Sequence, residues 1–116
     1  MIQWDRVAEL REEVGSEDFD EVVEIFLEEV DEVTDRLRTS PDLQSLEQDL
    51  HFLKGSALNL GFHAFSELCQ DGEQMSALGQ AHDVDLTAII LQYEKSRSVF
   101  LSELSTRFAN DARMSA

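Results

Sequence analysis

The sequence predicts an all-α protein: an antiparallel four-helix bundle with a short extra helix at its N-terminus. Three observations carry this. Apolar residues recur at helical spacing through four long segments. No segment shows the sustained period-two alternation of a half-buried strand. The 116 residues include one proline, five glycines and 42% hydrophobic residues, a composition that suits a compact helical domain rather than a disordered chain. Long amphipathic helices joined by short connections pack as an antiparallel bundle. The length fits a single domain, residues 1–116, with the bundle over about 17–108.

The first element, Ile2 to Val14, reads as a short helix with Trp4, Val7, Ala8, Leu10 and Val14 on its apolar side, expected to lie across one end of the bundle. Gly15 ends it. Ser16 is the expected N-cap of the second helix, about 17–38, with Glu17 and Asp18 at its positive end. Phe19, Val22, Val23, Phe26, Val30, Val33 and Leu37 form one face and acids the other, and Arg36 and Arg38 suit the last turn. Thr39-Ser40-Pro41 breaks the pattern; Ser40 is expected to cap and Pro41 to open the third helix, which runs to Leu60. Its stripe is Leu43, Leu46, Leu50, Leu53, Ala57 and Leu60, at steps of three, four, three, four and three. Gly61 is the expected stop. A fourth helix, about 62–78, uses Phe62, Phe65, Leu68, Cys69, Gly72 and Met75. After a loop over 79–83, Asp83 is expected to cap the last helix, about 84–108, with Leu86, Ile89, Ile90, Tyr93, Phe100, Leu104 and Phe108. Arg97 interrupts that stripe, so the bundle is expected to end or bend there, and the tail 110–116 to fray.

The chemistry concentrates in His51-Phe52-Leu53-Lys54-Gly55-Ser56-Ala57-Leu58-Asn59-Leu60-Gly61. On a helical wheel His51 points roughly 130° away from the centre of the apolar stripe, toward solvent. Lys54 lies one turn on, at i+3, and Gly55 at i+4 beside the imidazole. Glycine inside a helix costs about 1 kcal/mol relative to alanine, and close approach of another body to His51 is one way to offset that. These residues resemble the motif of the histidine phosphotransfer (HPt) family of multistep bacterial phosphorelays: His-x-x-Lys-Gly, small residues, then an apolar-Gly pair. His51, Lys54, Gly55, Ser56, Ala57, Leu60 and Gly61 follow it without departure. The motif covers about a tenth of the chain; elsewhere the likeness is one of length and helix order.

The resemblance implies that His51 is a phosphoacceptor, loaded from the phosphoaspartate of a response-regulator receiver domain. Lys54 would stabilise the phosphoryl charge, Gly55 would give the receiver steric access, and Mg²⁺ would come from the receiver, the carrier having no cofactor of its own. A hybrid sensor histidine kinase is a candidate second partner. An ordinary imidazole has a pKa near 6.5, so no strong base is needed to activate it at neutral pH. Exposed Leu58, Phe52 and Ile25 are candidate docking residues, the alternative being that they pack between helices.

The formal charge of −16, nine basic against twenty-five acidic residues, excludes nucleic acid and anionic lipid as partners. Ten acids and no base fall between Glu17 and Asp35, and Lys54 is the only Lys or Arg from Thr39 to Glu94. No apolar run approaches the ~20 residues that span a bilayer, and no signal peptide is visible. Cys69, the lone cysteine, makes no internal disulfide. These features point to a cytoplasmic monomer. A di-iron bundle needs Glu-x-x-His motifs facing inward, and none occurs; Glu47 and His51 point outward. No phosphate-binding glycine loop or kinase signature is present, so phosphorylation from ATP is not expected. His63, with Ser66 and Glu67 at i+3 and i+4, reads as a solvated surface histidine, His82 as a loop residue, and Cys69 as a buried small hydrophobe. The alternative to a phosphoryl carrier is a non-catalytic acidic adaptor that binds a basic partner through the 17–35 face.

Overall fold

The computed structural model describes the backbone of residues 2–115 and the side chains of residues 2–107. The chain is all-helical: α1 Trp4–Val14, α2 Phe19–Thr39, α3 Leu46–Leu60, α4 His63–Ala77, a 3-10 turn Ala81–Asp83, and α5 Leu86–Ser115. Among the described residues, strand-like pairing is limited to one isolated bridge, Ile2 with Phe62. Helix α3 packs on α2 and α4, α4 on α5, and α5 back on α2, while α1 covers α2 and α3.

The periodic stripes supply the core. Leu46, Leu50, Leu53, Ala57 and Leu60 of α3 are buried, as are Val23, Val30 and Leu37 of α2, Phe65 and Cys69 of α4, and Ile89, Ile90, Tyr93 and Phe100 of α5. Leu27 and Thr34 of α2 are buried too, beyond the expected face; the Thr34 hydroxyl donates back to Val30 O at 3.0 Å. Gly61 ends α3 in the left-handed region with φ 74°, and Phe62 N–H closes the turn on Ala57 O at 2.8 Å. A side chain there would also collide with α1's leader, since a Cβ would stand 2.6 Å from Gln3 O. That closeness lets Gln3 N–H donate to Gly61 O at 2.7 Å and tie α1 to the α3–α4 turn.

Helix starts differ from the expectations, and local polar chemistry explains it. Residues 16–18 form a turn, so α2 starts at Phe19; Asp18, not Ser16, holds the N-cap position and makes no side-chain capping bond. Ser40 is the C-cap of α2 rather than a cap for α3. Asp42 organises the connection: Oδ1 accepts Gln44 N–H at 3.0 Å, and its carbonyl accepts Ser45 N–H at 3.1 Å. This side-chain turn competes with helix. Helix α3 therefore begins at Leu46, and Leu43 falls outside the stripe, 44% exposed. Asp85, not Asp83, caps α5 by accepting Ala88 N–H at 3.0 Å. The α5 backbone continues past the expected end near 108 to Ser115; Phe108 and the tail, where fraying was expected, lie outside the described side chains.

Arg97 does not end the bundle. Its Nε and Nη2 donate to the two carboxylate oxygens of Asp31 on α2 at 3.2 and 3.1 Å, and Tyr93 Oη donates to Asp31 Oδ1 at 2.6 Å. Burial first, and the Asp31 carboxylate second, raise the Tyr93 phenol above its ordinary pKa, so it stays a donor. The core runs on past this clamp to Phe100, which stacks on Trp4 of α1 at 5.7 Å. Among the described residues no helix is long and apolar enough to cross a membrane.

Candidate functional site

The inward stripe of α3 turns His51 outward. Leu50 and Leu53 are fully buried beside it, and the His51 side chain is 70% exposed. Lys54 follows at i+3. A third residue, Glu73 of α4, joins them: one carboxylate oxygen, Oε2, is 2.7 Å from His51 Nδ1, and the other, Oε1, is 2.7 Å from Lys54 Nζ. The Lys54 hydrogen bond chiefly, with His51 adding to it, outweighs partial burial and holds the Glu73 carboxyl below its usual range. Glu73 is thus an anion at neutral pH and acts as an acceptor only. In the neutral ring the proton then belongs on Nδ1, which leaves the lone pair on Nε2, the nitrogen that does not bond Glu73.

Sequence reasoning missed Glu73, and so gave Lys54, which the resemblance assigns to the phosphoryl charge, no partner within the domain. Lys54 is ion-paired to that carboxylate. Single-helix periodicity carries no information about a partner on the next helix. The available signal was the Gly61 turn, from which His51 and Glu73 lie at similar sequence distances.

Gly55 is exposed, and a Cβ added there would meet nothing within 4 Å. The domain itself does not require glycine at this position. Leu58 is 51% exposed, Phe52 39% and Ile25 49%, so none of them is buried between helices. Leu58, at i+7, shares the His51 face of α3 and lines a shallow groove with Ile2, Trp4 and Arg6 of α1. Phe52 adjoins His51 in sequence, while Ile25 stands on α2, outside the hydrogen-bonded group. His63 is not merely solvated: its Nε2 lies 2.5 Å from Glu67 Oε1, within one turn of α4. His82 is exposed in the 3-10 turn, 3.6 Å from Asp83. Among the described residues no group of three or more His, Cys, Asp and Glu side chains could hold a metal ion.

Cys69 lies one turn before Glu73 and is fully buried. Burial, with the Glu73 charge second, pushes its thiol up to about 12. The folded protein should resist iodoacetamide at pH 8 and react only on unfolding. Mass spectrometry with and without denaturant checks this, and prompt alkylation of the native chain would show that the core opens there.

His51, His63 and His82 are all exposed, and His51 is the one whose carboxylate partner, Glu73, comes from another helix and is shared with a lysine. The chain belongs to the Hpt domain family, whose match covers residues 21–110. Hpt domains are histidine phosphocarriers of phosphorelays, work with receiver domains and are not kinases. Comparison with curated proteins and with solved structures returns no match. Helix α1 precedes the matched span.

Proposed function

We propose that His51 accepts a phosphoryl group from the phosphoaspartate of a receiver domain and passes it to another receiver. The observation that carries this is the pair of opposite ring environments: Nδ1 engaged by Glu73, the ring otherwise open to solvent. The Nε2 lone pair attacks phosphorus in line, the N–P bond forms, and the P–O bond to the receiver's aspartate breaks. The ring keeps its Nδ1 proton and becomes cationic, which Glu73 favours. Lys54 faces the incoming phosphoryl oxygens with a charge it shares with Glu73. The receiver supplies Mg²⁺. The helix contacts support an antiparallel four-helix bundle of α2 to α5 as the rigid mount, and in this reading the carrier works as a cytoplasmic monomer. Incubation with a panel of phosphorylated receivers tests the reading: acid-labile label should move to this chain, and transfer from none of them would overturn it. The acidic-adaptor reading accounts for the exposed acids of α2 but leaves the His51–Glu73–Lys54 group without a purpose.

Gly55 gives a second test. On helix propensity Gly55→Ala should stabilise the fold by up to about 1 kcal/mol. If a receiver closes over His51, Gly55→Leu should slow transfer while thermal stability holds or rises. A stable Gly55→Leu protein that accepts phosphate at the wild-type rate would show that nothing approaches closely there.

A further inference from the structure

Glu73 reaches two partners at once, and the residue before it bears on how. Gly72 is buried in the middle of α4. Its φ is not positive, so its backbone does not call for glycine, which in mid-helix costs about 1 kcal/mol relative to alanine. Space does call for it. A Cβ at Gly72 would stand 2.8 Å from Leu50 Cδ1, 3.1 Å from Val84 Cγ1 and 3.4 Å from Ile89 Cδ1. Leu50 is 0% exposed and Ile89 3%, so these neighbours give way only by disturbing the core. Leu50 immediately precedes His51, as Gly72 immediately precedes Glu73. The two helices therefore touch one residue behind each end of the His51–Glu73 bond.

We propose that Gly72 is a positioning residue: its missing side chain sets the α3–α4 separation at which Glu73 spans His51 Nδ1 and Lys54 Nζ. The consequence for transfer rests on His51 being the phosphoacceptor; the geometric consequence does not. A methyl at Gly72 pushes α4 off Leu50, both 2.7 Å contacts lengthen, and the ring loses the carboxylate that fixes its tautomer.

The test reads the ring and the rate separately. By ¹⁵N NMR the neutral wild-type His51 ring should be in the Nδ1–H form, and Gly72→Ala should move it toward Nε2–H. Transfer should slow, by up to about a hundredfold for a displacement near 1 Å. In a Glu73→Ala background, adding Gly72→Ala should change the rate by less than about twofold, because coupled sites are not additive. Leu50→Val removes the Cδ1 that the methyl would meet, so Gly72→Ala/Leu50→Val should recover the Nδ1–H ring and Gly72→Ser/Leu50→Val should not. This pair decides the matter even where Gly72→Ala alone does not fold. An unchanged ring spectrum in Gly72→Ala, equal spectra in the pair, or an undiminished rate loss in the Glu73→Ala background would each overturn the proposal. If wild type accepts no phosphate, the reading of His51 fails and the ring spectra alone judge Gly72.

Discussion

His51→Gln should abolish acid-labile labelling by a phosphorylated receiver while leaving the fold intact. The side chain is 70% exposed and belongs to no core contact, and outer-face substitutions of this kind cost within about 0.5 kcal/mol. Glutamine also keeps an N–H that can serve the Glu73 carboxylate, so the acceptor is not left stranded. What is lost is the nucleophilic nitrogen. Thermal melts and labelling on the same preparation check both halves. Normal labelling of the variant would remove His51 from the mechanism, and label found on His63 would move it to α4.

The second large effect is expected at Lys54. Lys54→Ala should slow transfer by one to two orders of magnitude, the scale of one charge-assisted contact of about 1.5–3 kcal/mol. It should also shift the pH response. The Lys54 hydrogen bond is the largest cause that holds Glu73 below its ordinary value. A carboxyl with a depressed folded pKa contributes stability above its unfolded value and loses it as pH falls through the folded one. Without Lys54 the depression shrinks, so Glu73 protonates, and lets go of His51, at a higher pH than in wild type. The acid limb of the stability profile, followed by thermal melts, should move upward accordingly. A wild-type rate and an unmoved acid limb, with circular dichroism unchanged, would reduce Lys54 to a surface cation.

Periodicity made the helices and most of the core legible, because burial imposes the stripe that the eye finds. Leu50, Leu53, Ala57 and Leu60 were placed correctly, and with them the outward direction of His51. What a stripe cannot show is where a helix begins. Leu43 keeps the three-four spacing yet lies in a turn, since the Asp42 carboxylate accepts Gln44 N–H there. Nor can it show partners across helices. Arg97 reads as an interruption until Asp31 and Tyr93 complete it, and nothing within α3 points to the Glu73 partner of Lys54. The missing information is the same for both: a charged residue has a meaning that only its opposite number supplies.

Helix α1 has a bearing on where this domain can be cut. The family match begins at residue 21, but the structural unit does not. Val7 and Leu10 are core residues, Trp4 covers Phe100, and Ile2 and Gln3 bond the backbone at Phe62 and Gly61. A gene rearrangement that carried only residues 21–110 into a new protein would arrive with the end of its core open. The portable module is longer than the recognisable one, and a boundary drawn by resemblance would fall inside it.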